Sequence, residues 1–202
     1  MKKVLILGPI WRNKNIIKFL EKRRFDTHFT NSKLTKNFVV MNKIDMIVTS
    51  GYPYRVKKEV IKAVKLAINL HISFLPFGRG IMPNLWSFVE GYSSGVSIHF
   101  LDENFDTGKI ILQKKINFKS LKTQTLKTTH DILLKKLEEF FLIHFKNIIK
   151  GKYKAYNQDK FYKINRYHNR EETENLMRNF KKKWNTKIET IIEYGKKNKF
   201  IS

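Results

Sequence analysis

The stretch that decides the fold is DMIVTSGYPYRVKKEVIKAVKLAINLH, residues 45–71. It opens with a short apolar run closed by Gly51 and continues with apolar residues at helical spacing over 56–66. It ends with a second apolar run, residues 67–70. This order predicts two parallel strands joined by a crossover helix, and hence an α/β sheet whose ligand crevice lies beyond the carboxyl ends of its strands.

The sequence on either side extends this pattern. Residues 4–7 form a first apolar run ending at Gly8-Pro9, and residues 15–20 follow with helical spacing. Downstream, residues 95–101 and 110–118 read as two strands joined through a turn at Thr107-Gly108. The sequence therefore predicts a mostly parallel sheet flanked by helices, with 95–101 and 110–118 as a hairpin-like arm whose exposed strand, 110–118, is able to mediate a homodimer.

A long helical repeat over residues 123–150 stops at Gly151, and the sequence beyond it is rich in Lys, Tyr and Asn. Two short helical patterns follow, around 171–180 and 187–194. We expect a catalytic domain at residues 1–150 and a small, mainly helical appendage at residues 151–202.

Composition limits the classes of function. The 202 residues contain no cysteine, which excludes disulfides, thiolate catalysis and cysteine-based zinc sites. The net charge is +24, but the lysines are spread along the chain without an arginine-aromatic cluster, so nucleic-acid binding is not the favoured interpretation. No apolar run reaches membrane-spanning length, and we expect a cytoplasmic protein with no membrane partner.

Three side chains carry the chemistry. Asn69 and His71 lie two residues apart on a predicted strand and so point to the same side, and Asp106 lies in a turn just after another strand. An amide, an imidazole and a carboxylate together are able to hold a carbonyl, stabilise an oxyanion and move a proton, which predicts acyl transfer. The alternative is a hydrogen-bonded strand end beside an ordinary turn aspartate. His99, which alternates with apolar neighbours, is expected to be structural or to point outward.

These segments resemble the folate-dependent formyltransferase family. The family's Asn-x-His motif matches Asn69 and His71, its SLLP segment matches residues 73–76, and its aspartate before Thr-Gly matches Asp106. The resemblance implies the Rossmann-like formyltransferase fold of the family's N-terminal domain. It also implies direct transfer of a formyl group from N10-formyltetrahydrofolate to an amine, with Asn69, His71 and Asp106 as catalytic residues and no metal.

The resemblance further implies a folate pocket built from backbone groups and apolar walls. The residues that match it are Tyr54, Val56, Phe74, Leu75, Met82, Leu101, Asp102, Glu103 and Asn104. The alternative for the apolar members is plain core packing.

The loop FLPFGRGIMPNLWSF, with SGYPYRVKKEV ahead of it, is most similar to sugar N-formyltransferases that serve O-antigen synthesis. This implies a nucleotide-linked amino deoxysugar as acceptor, such as dTDP-4-amino-4,6-dideoxyglucose, with 3-amino and 4-amino sugars both left open. The substrate-binding candidates are Arg55, Lys57, Arg79 and Trp86, against the alternatives of a solvated basic face and, for Trp86, a packing anchor.

Two other functions stay open. One is a methionyl-tRNA formyltransferase-like enzyme, although the tail is too short for the barrel domain that such members carry. The other is a non-catalytic, basic nucleic-acid-binding derivative of the fold, whose affinity for RNA would fall steeply with salt.

Overall fold

The computed structural model describes residues 2–158 and 167–201. The strands in these residues are β1 (Lys3–Leu7), β2 (Asp26–Thr30), β3 (Met46–Thr49), β4 (Leu66–His71), β5 (Arg79–Gly80), β6 (Gly95–Phe100), β7 (Ile110–Lys115) and β8 (Tyr167–His168). The α-helices in the same residues are α1 (Ile10–Lys22), α2 (Lys36–Met41), α3 (Lys58–Ile61), α4 (Pro83–Val89), α5 (Leu126–Ile149), α6 (Arg170–Met177) and α7 (Ile188–Lys197).

Six strands form one sheet in the order β2-β1-β3-β4-β6-β7. The pairs β1–β2, β1–β3 and β3–β4 are all parallel, which confirms the predicted mostly parallel sheet flanked by helices. From β1 the chain moves to one side to form β2 and then to the other side to form β3. This reversal is the topological switch point, where the ends of neighbouring connections diverge and leave a crevice.

The central strands were predictable because they are buried on both faces. Val4 to Leu7 of β1 are fully buried, and each residue of β3 is buried as well. A parallel strand covered by helices on both faces needs apolar residues at successive positions, which gives the continuous runs seen in the sequence.

Two elements near the amino terminus were not predicted, β2 and α2. The residues of β2 are mostly polar and none is fully buried, since this strand lies at the end of the sheet order. Helix α2 has only six residues and is marked by one signal, Thr35, whose Oγ1 accepts a hydrogen bond from the Phe38 N–H. Such short or half-exposed elements give no clear periodicity.

The predicted helix over 56–66 is a single turn, α3. The helix ends early because the Lys65 N–H donates to the Asp45 carbonyl, which draws the chain into β4. Similarly, the strand predicted over 110–118 ends at Lys115. At its start, Ile110 exchanges two backbone hydrogen bonds with Tyr156.

The described residues divide into two compact units. One comprises residues 2–71, 98–112 and 137–157, and the other comprises 72–97, 113–136, 158 and 167–201. Each unit is assembled from separate segments of chain, so the units do not test the predicted domains. The division into a catalytic domain at 1–150 and an appendage at 151–202 stays a prediction.

Each unit has an apolar core of its own. In the first unit a cluster lies around β1, β3 and the turn of α3; its buried members are Leu5, Leu7, Leu34, Val39, Ile44, Ile47, Val56, Val60 and Ala67. In the second unit helix α4 packs on α7, and the cluster comprises Leu85, Trp86, Phe88, Val89, Leu126, Leu176, Phe180, Ile188 and Ile191. Across residues 2–158 and 167–201, no helix combines the length and apolar character needed to cross a membrane.

The carboxylate of Asp45 ties together the starts of three neighbouring parallel strands. Its Oδ2 accepts a hydrogen bond from the Lys3 backbone N–H at 3.0 Å, and its Oδ1 accepts one from Lys65 Nζ at 2.6 Å. The Asp45 backbone N–H donates to the Lys3 carbonyl as well. The hydrogen bond from Lys65, followed by that from the Lys3 N–H, lowers the pKa of Asp45 from its ordinary value.

The substitution Asp45→Asn is expected to lower the free energy of unfolding by about 1 kcal/mol near neutral pH, because solvent screens the bond to the exposed Lys65. Since the pKa is lower in the folded state, the stabilisation is present above the unfolded value of about 4 and is lost as the pH falls through the folded value. Denaturant unfolding, carried out near neutral pH and again below the folded pKa, measures the difference in the free energy of unfolding between variant and wild type. An equal difference at both pH values would contradict a stabilising role of the ionised Asp45 carboxylate.

Candidate active site

The site begins at the carboxyl end of β4. Asn69 and His71 are two residues apart on this strand, and the alternation of a strand turns both side chains to one side. Asn69 lies in register with Thr49 of β3. The Thr49 hydroxyl donates to Asn69 Oδ1 at 2.6 Å, which fixes the plane of the amide.

The turn after β6 positions the third residue, Asp106. Its backbone is left-handed, with φ of +57°, a conformation that Asp tolerates better than most residues. Asp102 closes the turn by accepting hydrogen bonds from the Asn104 N–H at 3.1 Å and from Thr107 Oγ1 at 2.6 Å. Gly108 packs so tightly on the Phe100 carbonyl that a Cβ would collide with it.

The three predicted catalytic residues come together in the first unit. Asn69 Nδ2 donates to Asp106 Oδ1 at 3.0 Å. His71 Nδ1 lies 3.6 Å from the same oxygen, which is an ion-pair distance and longer than a hydrogen bond. The side chains of His71 and Asp106 are each about nine-tenths buried, at 10% exposed, so charges here are screened less than at the surface.

His99 belongs to this cluster, so of the two expectations for it the outward-pointing one is wrong. It is 1% exposed, its Nε2 lies 3.0 Å from Asn69 Nδ2, and the same Nε2 lies 3.6 Å from Asp106 Oδ1. The alternation in β6 suggested a solvated face, but five of its six residues are buried. A histidine on a strand with a following turn aspartate was the signal available in the sequence.

Chemically, the cluster is able to hold a carbonyl and to accept a proton. The Asn69 amide is a donor for a developing oxyanion, and the imidazole of His71 beside the carboxylate of Asp106 forms an acid–base pair. A carboxylate at this distance favours the protonated imidazole, which is a stronger hydrogen-bond donor. These groups are suited to the transfer of a small acyl group.

Two segments predicted to line a folate pocket are brought together by Arg55. Its Nε donates to the Glu103 carbonyl, and its Nη2 donates to Asn104 Oδ1 at 3.2 Å. Glu103 also pairs with Lys58, and the hydrogen bond from Lys58 lowers the pKa of Glu103 from its ordinary value. The residues after β3 and those before Asp106 are therefore braced against each other.

The other members of these segments differ in exposure. Tyr54 is 43% exposed with its ring edge-on to Tyr52, whereas Val56 is buried in the core of the first unit and Leu101 packs against that core. Lys57 is exposed, and its Nζ lies 3.7 Å from Glu59 Oε1. Tyr54 thus offers a side chain to a ligand, and Val56 offers only its backbone.

The switch point between β1 and β3 holds a further cation, Arg12. Its Nε donates to Ser50 Oγ at 3.0 Å, and burial lowers the pKa of its guanidinium to about 10. Gly8, with φ of +133°, lets the end of β1 pack directly on the Ser50 carbonyl. The buried Asn13 reinforces this contact by donating to the Pro9 and Ser50 carbonyls.

Arg12 is placed to bind an anion. Arg12 lies in the first turn of α1, which has no side-chain cap and no acidic residue in that turn. Among residues 2–158 and 167–201, no carboxylate forms an ion pair with Arg12. Sequence reasoning did not select this residue, although an arginine just after the first Gly-Pro turn of an α/β sheet was an available signal.

In the second unit, Phe74 and Leu75 follow the end of β4. Leu75 is buried, and its carbonyl accepts a hydrogen bond from Gln113 Nε2 at 2.8 Å. Lys115 Nζ lies 5.2 Å from the centre of the partly buried Phe74 ring. Met82 has a left-handed backbone and packs against the core of its unit. Their roles in binding folate stay predictions.

The two remaining substrate-binding candidates are buried within the second unit. Arg79 is 5% exposed, and its Nη2 donates to Gln158 Oε1 at 3.2 Å. Trp86 is 2% exposed, and its ring stacks on His168 with centroids 3.6 Å apart. Its Nε1 donates to Thr173 Oγ1 at 3.1 Å. Trp86 has the contacts of a core residue, and little of its side chain is exposed. Its role in acceptor binding stays a prediction.

The formyl transferase family model matches residues 10–142. A GDP-perosamine N-formyltransferase of Brucella melitensis biotype 1 is 37% identical over 106 residues, which are 52% of this chain and 41% of that protein. A methionyl-tRNA formyltransferase of Fusobacterium nucleatum is 36% identical over 118 residues, 57% of this chain and 37% of that protein. The chain thus spans less than half the length of these curated relatives.

One solved structure is similar along almost the whole chain. It is the formyltransferase PseJ from Anoxybacillus kamchatkensis in complex with UDP-4,6-dideoxy-4-formamido-L-AltNAc and tetrahydrofolate. The two are 34% identical with a TM-score of 0.86, and the match covers 96% of this chain and 99% of that one. With the family model matching well over half of its residues, this chain belongs to the formyl transferase family.

Proposed function

We propose that this protein is an N-formyltransferase that moves a formyl group from N10-formyltetrahydrofolate to the amino group of a nucleotide-linked amino deoxysugar. The observation that carries the proposal is the buried cluster of Asn69, His71 and Asp106 at the ends of β4 and of the turn after β6. Membership in the formyl transferase family supports the same reaction.

Asn69 donates an N–H to the formyl oxygen and stabilises the negative charge that develops there as the acceptor amine attacks the formyl carbon. His71, protonated beside Asp106, donates a second hydrogen bond to that oxygen. Asp106 takes up the proton that the amine loses, and an equivalent proton passes to the folate nitrogen whose bond to the formyl carbon breaks. The amine gains the formyl group and loses one proton, so the transfer needs no covalent intermediate on the protein.

The folate is proposed to lie against the backbone of two segments, Tyr54 to Val56 and Leu101 to Asn104. The bonds from Arg55 to Glu103 and Asn104 support this, since they hold the two segments together next to the turn that carries Asp106. Phe74, Leu75 and Met82, which belong to the second unit, stay predicted folate-binding residues. The tetrahydrofolate bound in the PseJ complex supports a folate donor.

The proposed acceptor is a UDP-linked 4-amino-4,6-dideoxy sugar for a surface glycan such as O-antigen. The support is the 34% identity with PseJ, whose complex contains a UDP-linked 4-formamido sugar. A dTDP-linked or GDP-linked sugar is the nearest alternative, and the GDP-perosamine relative favours the 4-amino position as well.

A nucleotide sugar carries a diphosphate, for which the first unit offers two kinds of cation. Arg12 at the switch point is partly buried and held by Ser50, so its remaining N–H groups are preorganised for charge-assisted bonds to phosphate. Arg55 and Lys57 are exposed, and Arg55 is already engaged with residues 103–104. We therefore propose Arg12 as the main diphosphate ligand of this unit. The positive charge of Lys57 adds to the electrostatic attraction of the diphosphate.

Methionyl-tRNA is the second candidate acceptor. The methionyl-tRNA formyltransferase relative is nearly as similar as the sugar enzyme, at 36% against 37% identity over comparable lengths. The catalytic cluster does not distinguish the two acceptors, because both present an amine to the formyl carbon.

The test of this function mixes the protein and N10-formyltetrahydrofolate with UDP-, dTDP- and GDP-linked 3-amino and 4-amino sugars, and separately with methionyl-tRNA. Mass spectrometry should find one formyl group added to a UDP-linked 4-amino sugar, and none with Asp106→Asn. Modification of methionyl-tRNA alone would overturn the sugar assignment in favour of the second candidate. Modification of no amine by a protein that is folded would overturn the reaction.

Replacement of any cluster residue should remove most of the turnover. Asn69→Ala, His71→Ala and Asp106→Asn are each expected to lower kcat about 10²- to 10⁴-fold, because each removes oxyanion stabilisation or proton transfer. Asn15→Ala is the matched control, since the exposed Asn15 side chain donates to Glu138 on the surface. Circular dichroism checks folding. Wild-type kcat in any folded cluster variant would contradict the mechanism.

Loss of the Arg12 charge should weaken binding of the acceptor and leave the rate of the chemical step little changed. Arg12→Met is expected to raise KM for the nucleotide sugar about tenfold, the value of one charge-assisted bond, with kcat little changed. Lys18→Met removes an exposed charge from the same helix and serves as the control. Steady-state kinetics against the acceptor measure both. Equal KM values for the two variants would rule out the assigned role of Arg12.

A further inference from the structure

The Asn69 amide has all of its hydrogen-bonding groups engaged within the cluster. Oδ1 accepts from Thr49 Oγ1 at 2.6 Å, and Nδ2 lies 3.0 Å from both His99 Nε2 and Asp106 Oδ1. An amide nitrogen carries two hydrogens, so both are used. A formyl oxygen is therefore able to accept from Asn69 only by displacing His99 or Asp106.

The orientation of this amide follows from its neighbours. If the amide were flipped, Oδ1 would face the Asp106 carboxylate, and two acceptors would meet at 3.0 Å. With Nδ2 facing His99, the imidazole must accept at Nε2 and carry its hydrogen on Nδ1. The Nδ1 of His99 lies 2.8 Å from the Phe100 carbonyl, which accepts that hydrogen. The tautomer of His99 is thus assigned from its two partners.

Of the two acceptors at Asn69 Nδ2, His99 is the one held firmly in place. It is 1% exposed, one ring nitrogen is anchored to the backbone of β6, and the ring lies edge-on to that of His71. Thr49 is likewise buried at 4% exposed and holds the opposite end of the amide. Because the two contacts come from β3 and β6, on either side of β4 in the sheet, they restrain the amide plane from both sides.

Of the two acceptors at Asn69 Nδ2, Asp106 is the one that has another hydrogen-bond donor nearby. Its oxygen that accepts from Asn69 also lies 3.6 Å from His71 Nδ1, too long for a hydrogen bond but within reach of a small side-chain rotation. When Asn69 donates to another acceptor, the carboxylate loses that bond and gains by closing on the imidazole. One exchange therefore gives the Asn69 N–H a new acceptor and brings the Asp106 carboxylate closer to the imidazole of His71.

We propose that Thr49 and His99 are positioning residues that hold the Asn69 amide, and that the formyl oxygen replaces Asp106 as acceptor of one Asn69 N–H, so that Asp106 closes on His71. This inference rests on the proposed formyl transfer. It makes seating of the formyl group the event that completes the acid–base pair. Neither Thr49 nor His99 touches the reacting atoms.

Two pairs of variants test the positioning roles. Thr49→Val removes the hydroxyl at nearly constant shape, and Thr49→Ser keeps a hydroxyl. His99→Leu removes the acceptor, and His99→Gln keeps one. Calorimetry gives the Kd of each protein for 10-formyl-5,8-dideazafolate and for unformylated 5,8-dideazafolate. The ratio of the two Kd values isolates the contribution of the formyl group.

We expect wild type to bind the formylated analogue about fivefold to tenfold more tightly, the value of one hydrogen bond. This preference should disappear in Thr49→Val and His99→Leu and persist in Thr49→Ser and His99→Gln. The Kd for the unformylated analogue should stay within about twofold in all four, because in this proposal the amide bonds only to the formyl group of the folate. In turnover, kcat should fall in the first two variants with KM for the acceptor unchanged.

A merely structural role would change the Kd for both analogues together, or lower the melting temperature without altering the ratio. The inference is overturned if folded Thr49→Val or His99→Leu retains the wild-type ratio, or if wild type shows no preference while still transferring formyl groups. If wild type binds neither analogue, the proposed function fails and this inference fails with it. Because the two positions lie on different strands, failure of one variant to fold leaves the other as the test.

Discussion

The parallel pairing of β3 with β4, in the register that sets Thr49 beside Asn69, is the constraint on which the site depends. A slip of one residue would turn Asn69 and His71 to the opposite face of the sheet and move the Thr49 hydroxyl away from the amide. The register is held where the strands start, by Asp45 and its bonds to Lys3 and Lys65. Stability at one end of the sheet and chemistry at the other thus depend on the same alignment.

Around the Asn69 amide, the cluster places one carboxylate within reach of two imidazoles. Asp106 Oδ1 lies 3.6 Å from a nitrogen of His71 and of His99. The two rings have different tasks, because the bonds of His99 to Asn69 and to the Phe100 carbonyl occupy both of its nitrogens. In the proposed mechanism His71 is therefore the acid–base partner of Asp106.

Much of the fold and part of the site were predictable from the sequence. Burial on both faces gave β1, β3 and β4 continuous apolar runs, whereas the polar, half-exposed β2 gave none. The period of two in a strand was sufficient to put Asn69 and His71 on one side. The contribution of His99 was not predictable, because alternation along β6 does not reveal that both of its faces are covered.

Thr49 and Arg12 were missed for a related reason. The role of Thr49 depends on which residue of the next strand lies beside it, and the role of Arg12 depends on where the sheet order reverses. Neither is a property of a local window of sequence. Arg12 is partly buried and held in place by Ser50, unlike the many exposed lysines that contribute to the net charge of +24.

The most direct test of the central claim, direct transfer assisted by the Asn69–His71–Asp106 cluster, is a single turnover of formyl donor and amino-sugar acceptor on an excess of protein. Rapid quenching and mass spectrometry follow the acceptor and the intact protein together. The account predicts that the formyl group appears on the acceptor as it leaves the folate, with no change in the mass of the protein, and that Asp106→Asn abolishes the transfer. A formylated protein formed ahead of the product, or an undiminished rate with Asp106→Asn, would contradict it.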